Sequence, residues 1–346
     1  MGKPKKQFWD ERSRKLAKKK KTHRNRHIKN YTNVYSNYVT HQKNEHQIDH
    51  VFVVPECFSF TQNLDETVSF FFDLYKELKK ASLNSKFLIQ SENVTCVTTD
   101  VIMYLIALMR NYKGCKRRMY SFYGTYPVDK EAQQTYIESG FLKFVRSRSK
   151  RLPENNAKMS IMCGNRNDSV SAGRMCQFVC DKFKVSKAYA TGLYDTIIEM
   201  MSNVYYHAYN DEEDLMVPEW YMYAEFVGEK INFVFLDTGL GIGKTVMKNS
   251  LYEKVVSRIG IGNESKLIKS ALDGDFRTQT GENNHGKGLP QINEFAHSKT
   301  VENFHILSGK GHCWLNEHQN VFQTKDLKNR ICGTIYCFTL IKLEVV

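Results

Sequence analysis

Three residues spaced four apart open a chemical reading of this chain. Glu199, Asn203 and His207 fall in one row of an amphipathic helix, beside a stripe formed by Leu193, Ile197, Met200, Met201, Val204 and Ala208. The row lines up a carboxylate, an amide and an imidazole near buried surface, which is unusual for a plain packing helix. Taken alone, such a row is a solvated polar edge. Two glycine-rich stretches further along the chain change its meaning.

The first is Asp237-Thr-Gly-Leu-Gly-Ile-Gly243. It follows two aromatic and aliphatic runs, Trp220 to Val227 and Ile231 to Leu236, separated by Gly228-Glu-Lys230, which is a hairpin signal. A carboxylate at a strand end can accept hydrogen bonds from an amino group such as that of adenine, and its charge strengthens the pairing. Gly239 and Gly241 let the backbone approach a flat base or ribose. A tight turn between core elements would use the same residues. The second stretch is Gly281-Glu-Asn-Asn-His-Gly286-Lys-Gly288-Leu-Pro290, with Pro290 suited to the first turn of a helix running to Ala296. A glycine loop that feeds a helix N-terminus aims N–H groups and the helix dipole at an anion.

In chain order, Glu199-x-x-x-Asn203, Asp237-x-Gly239-x-Gly241 and Gly286-x-Gly288-Leu289 resemble the boxes of the GHKL ATPases. That group holds the nucleotide domains of gyrase, the large heat-shock chaperones, histidine kinases and MutL. Gly333-Thr334, before a strand at Ile335 to Leu340, fits the family's closing Gly-Thr, and the resemblance spans about residues 158 to 346. It implies a Bergerat-type α/β sandwich, a mixed sheet covered by helices, that binds ATP and Mg²⁺. By residue, it implies that Asn203 ligates Mg²⁺ and that Glu199 orients or deprotonates the nucleophile. Asp237 would read the adenine amino group, helped by Thr334 through water. Gly286, Lys287 and Gly288 would form the phosphate lid, with the Lys287 contact inferred from its charge alone. Pro290 stands close to where many members carry a small residue, and the lid segment from Lys244 to His285 is long. A competing motif is Thr238-Gly-Leu-Gly-Ile-Gly-Lys-Thr245, one residue short of a P-loop. It leaves Glu199, Asn203 and the second glycine stretch unexplained, and it also implies ATP and Mg²⁺.

The elements ahead of this region form a second unit. Strands at Val51 to Pro55, Phe87 to Gln90 and Met119 to Tyr123 alternate with helices at Leu64 to Leu78, Val101 to Met109 and Glu131 to Glu138. This alternation indicates a small α/β layer domain. The order, with Thr95-Cys-Val-Thr-Thr-Asp100 leading into the second helix and Ser139-Gly140-Phe141 closing the third, resembles STAS-like domains. That resemblance implies a phosphate acceptor near Thr98 or Thr99. A threonine there also serves as an ordinary helix N-cap.

The expected organisation is a basic flexible tail over 1–48, a STAS-like α/β domain over 49–148, a linker over 149–158 and an ATP-binding domain over 159–346, an α+β and α/β chain overall. Net charge is +13 over 346 residues, but residues 1–30 hold 13 Lys or Arg against 2 Asp or Glu. The excess therefore belongs to the tail. The tail reads either as a contact for nucleic acid or an anionic surface, or as a solubilising extension. The longest apolar run, Val101 to Met109, is far short of the ~20 residues of a membrane helix. With no signal peptide and nine scattered cysteines lacking a C-x-x-C pair, the expected place is the cytoplasm. Three functions follow: an ATPase switch acting on a protein partner, a serine/threonine kinase of the anti-sigma type acting on a STAS-like domain, or a non-enzymatic ATP-binding adaptor. A homodimer is compatible with each.

Overall fold

The computed structural model describes residues 48–82, 84–115, 120–145, 156–208, 219–260, 262–276 and 288–343. The basic tail and most of the expected linker lie outside the described residues.

The N-terminal unit alternates as the sequence pattern requires. Strand β1 (His50–Val53) and the short β2 (Cys57–Phe58) precede helix α1 (Leu64–Lys80). Then come β3 (Lys86–Gln90), the short β4 (Cys96–Val97), α2 (Thr99–Cys115), β5 (Ser121–Gly124), α3 (Lys130–Glu138) and α4 (Phe141–Val145). Strands β1, β3 and β5 form a parallel three-stranded sheet in that order, and β2 pairs with β4 in parallel. Parallel neighbours need long crossovers, and here α1 and α2 supply them.

The C-terminal unit is one seven-stranded sheet, order β11-β10-β9-β12-β8-β7-β6. Its elements are β6 (Met162–Gly164), α5 (Ser169–Phe183), a 3₁₀ turn at Lys187–Ala190, α6 (Thr191–Tyr206), β7 (Trp220–Val227), β8 (Lys230–Asp237), α7 (Ile242–Val246), α8 (Tyr252–Ile259), α9 (Glu264–Leu272), α10 (Gly288–Ala296), β9 (Val301–Ser308), β10 (Gly311–Asn316), β11 (Val321–Asp326) and β12 (Thr334–Ile341). Every pairing in this sheet is antiparallel, which corrects the expected mixed sheet. Tight connections join β7 to β8 and β9 to β10 to β11, and a connection of that length allows only antiparallel neighbours. Strand β12 then returns between β8 and β9, which run the same way but never pair.

Alternation along the strands sends side chains to two faces. Trp220, Met222, Phe233, Phe235, Phe304 and Phe338 face α5, α6, α9 and α10 in one core. Tyr221, Tyr223, Leu236, Leu307 and Ile335 point the other way, into a core shared with α2 and the small parallel sheet. Covering both faces explains why β7 and β8 read as nearly continuous aromatic and aliphatic runs. Helix α2 is buried all round from Val101 to Met109, as a helix held between two layers must be. Each aliphatic side chain so buried is worth about 1.5–3 kcal/mol relative to exposure, against about 1 kcal/mol net for a hydrogen bond. Apolar burial therefore holds α2 in place, and its polar contacts orient it. Arg110 adds a two-pronged pairing with Glu219 at the start of β7, at 2.9 and 3.1 Å.

Candidate functional site

Helix α6 supplies the first group. Its buried side is the expected stripe of Leu193, Ile197, Met200, Met201 and Val204. Ser186 does not cap it: Ser186 precedes the 3₁₀ turn with no side-chain cap bond, and α6 begins after Ala190. Glu199 and Asn203 lie one turn apart beside the stripe. His207 ends the helix, with its N–H donating to the Asn203 carbonyl at 3.0 Å. That bond gives His207 a part in terminating the helix, and it also lines the cleft described next.

The cleft has a cavity volume of about 80 Å³ and opens partly to solvent. Its walls include Met200, Asn203, Asp237, Gly241, Leu289 and Thr334. Residues from all three boxes and from the closing Gly-Thr thus meet in one concavity. Gly288, at the start of α10, completes the convergence. A Cβ placed there would lie 2.8 Å from Glu199 Oε2 and 3.2 Å from Asn203 Oδ1, so α10 begins close to both side chains and a larger residue would push their ends aside. Gly286 and Lys287 lie outside the described residues.

Asp237 ends β8 and is only 4% exposed. One carboxylate oxygen accepts the Gly239 N–H at 2.7 Å, and the Thr334 N–H also bonds the carboxylate. Burial nevertheless pushes the carboxyl up to about 7, because those two donors offset only part of the lost hydration. Glu199 is likewise raised, first by burial and then by the nearby charge of Asp195. A carboxylate raised in this way suits proton transfer near neutrality better than an ordinary one. The amide nitrogen of Asn203 is buried with no hydrogen-bond partner among the described residues. A buried donor left open beside a cleft fits a polar ligand there, and the adjacent amide oxygen is a hard donor of the kind Mg²⁺ takes.

The loop between Asp237 and α7 is built by close approach. Gly239 packs on the Ala208 carbonyl, and the Leu240 N–H donates to that same carbonyl at 2.7 Å, tying the loop to the end of α6. Gly241 has φ +81°, and a Cβ on it would meet Ser308 Oγ at 2.8 Å. The P-loop reading finds no support in this arrangement. Strand β8 has antiparallel neighbours on both sides, the following helix has five residues, and Lys244 is exposed on it.

Several site residues carry no signal in the sequence. Ser308 on β9 accepts from the Ile242 N–H at 2.8 Å, donates to the Gly333 carbonyl at 3.1 Å and meets the Thr334 hydroxyl at 3.1 Å. It stitches together three segments that are far apart in the chain. Tyr336 on β12 and Thr245 on α7 also line the cleft. Gly333 has φ +74°, and a Cβ there would lie 2.1 Å from the Asp237 carbonyl oxygen. Gly333→Ala is expected to cost about 3 kcal/mol or more, from backbone strain plus the clash. Gly228→Ala, at φ +53° but with open space around it, is expected to cost about 1–2 kcal/mol from strain alone. Urea midpoints of the two variants measure the difference, and equal losses would mean that the approach at Gly333 is easily relaxed.

At the other end of α2, Thr99 is 6% exposed and the hydroxyl oxygen of Thr98 is buried. Neither hydroxyl is open to solvent in this arrangement. The described cysteines are all free thiols, and no helix among the described residues is long and apolar enough to cross a membrane.

The chain matches no protein-family model, and no curated protein matches it.

Proposed function

We propose that this chain binds ATP with Mg²⁺ in the cleft beside α6 and works as a nucleotide-dependent switch on a protein partner, hydrolysing ATP. The observation that carries the reading is convergence. Four stretches separated by up to 135 residues, at Glu199 and Asn203, at Asp237 to Gly241, at Gly288 and Leu289 and at Thr334, border one cleft. In this reading Asp237 accepts the adenine 6-amino group, and Met200, Val204, Ile242 and Val246 provide apolar walls for the base. The N-terminus of α10 lies towards the phosphates, where the helix dipole favours an anion. Asn203 is the residue that would hold Mg²⁺, which supplies charge neutralisation at the phosphates. Glu199 takes the proton of the attacking water, and the remaining catalysis is positioning.

The buried positions of Thr98 and Thr99 count against the kinase alternative, at least for phosphorylation of the chain's own threonines. Calorimetric titration of the purified protein with ATP, with and without Mg²⁺, tests the reading. Saturable binding that tightens with Mg²⁺ is expected, and absence of heat under both conditions overturns it.

A further inference from the structure

We infer that Tyr104 and Asn111 of the N-terminal unit are positioning residues of the nucleotide site, holding from behind the two chain segments that present Asp237 and Thr334 to the adenine base. The inference rests on the ATP-binding reading and extends it to a helix that does not line the cleft.

Tyr104 and Asn111 are seven residues apart on α2 and so lie on one face, two turns from each other. Tyr104 is buried, and its hydroxyl donates to the Cys332 carbonyl at 2.9 Å and accepts from the Cys332 N–H at 2.8 Å. One side chain thereby satisfies both backbone groups of a buried residue 228 positions away. Cys332 leads through Gly333, which is pressed against the Asp237 carbonyl, to Thr334. Asn111 Nδ2 donates to Thr238 Oγ1 at 2.5 Å, with both residues buried. Thr238 directly follows Asp237. The two contacts therefore grip the segments on either side of the carboxylate, one just after it and one leading to the N–H that bonds it.

Docking α2 on the sheet does not itself require these groups, because the apolar residues from Val101 to Met109 already bury it. Two polar side chains placed inside that layer must be paired, and these are paired at the site's two loops. A recognition carboxylate works only when held to about half an ångström, and backbone satisfied on its far side is what fixes it.

The test compares affinities for ATP and for inosine triphosphate, which carries an oxygen in place of the 6-amino group. Tyr104→Phe and Asn111→Ala are each expected to weaken ATP binding about tenfold and to shrink the ATP preference by a similar factor. Ile106→Val, a buried residue on the opposite face of the same helix, is expected to leave the preference unchanged at a comparable loss of melting temperature. Thr238→Val removes the Asn111 bond from its other end and serves if the Asn111 variant fails to fold. Combined with Asn111→Ala, it is expected to add little further loss. An unchanged ATP preference in both Tyr104→Phe and Asn111→Ala overturns the inference while leaving ATP binding intact. A wild-type protein that does not distinguish the two nucleotides overturns the adenine-reading role of Asp237, and this inference with it.

Discussion

Asp237→Asn is expected to weaken ATP binding at least a hundredfold. The substitution keeps the size of the side chain and one acceptor, which the Gly239 N–H can still use. It replaces the other oxygen with a donor, facing the Thr334 N–H on one side and the incoming adenine amino group on the other. Loss of a charge-assisted hydrogen bond costs about 1.5–3 kcal/mol, and a buried donor left unpaired costs about 1–3 kcal/mol more. At about 1.4 kcal/mol per decade, the two together amount to roughly two to four decades of affinity. A companion effect appears in the pH dependence of stability. The folded protein holds a proton on Asp237 up to about pH 7, whereas the unfolded chain releases it in the ordinary carboxylate range. The nucleotide-free protein therefore loses stability as pH rises from about 4 towards 7, and the contribution is level above that. In the proposed reading ATP bonds the ionised form, so its stabilising effect is expected to grow over the same window. Thermal denaturation at pH 5, 6, 7 and 8, in wild type and Asp237→Asn, measures this. Identical slopes in the two proteins would show that Asp237 does not titrate there, and unaltered ATP affinity in the variant would remove it from the site.

Glu199→Ala is expected to reduce phosphate release by two to four orders of magnitude while changing ATP affinity by no more than about threefold. That is the usual contribution of a positioned general base, which acts in the transition state and not in binding. Its place fits the division of labour. In the proposed reading Asp237 and the apolar walls bind the base, whereas Glu199 lies against the start of α10, where the phosphates are expected. Free phosphate and protein-bound label from γ-labelled ATP, followed together, give the readout. Phosphate release that survives the substitution would rule out Glu199 as the base. Label accumulating on the protein in place of free phosphate would favour the kinase reading.

The parts of this molecule visible in its sequence are those fixed by neighbours along the chain. The stripe of α6 and the alternation of the N-terminal unit are local periodicities, and both appear where the pattern put them. The glycine boxes were visible because backbone approach leaves few choices of residue. Strands β9 to β11 escaped notice, since His305, His312, Trp314 and Gln323 interrupt the apolar alternation that marks a strand. The antiparallel sheet escaped as well, because pairing direction depends on where β12 inserts. Ser308, Tyr336, Tyr104 and Asn111 act through partners 25 to 228 residues away, and no window of sequence contains both ends. Of the phosphate-lid residues, only Gly288 lies within the described residues.

The placement of α2 between two layers also bears on how the chain is made. The small parallel sheet and its helices leave the ribosome first, but the second cover of α2 is built from β7, β8 and β12. Its bond to Cys332 waits for a residue 228 positions further on. Until that stretch is synthesised, a helix with no polar side presents one bare flank. The first half of the protein is thus a natural client for a chaperone during translation. Expressed without the second half, it is expected to aggregate.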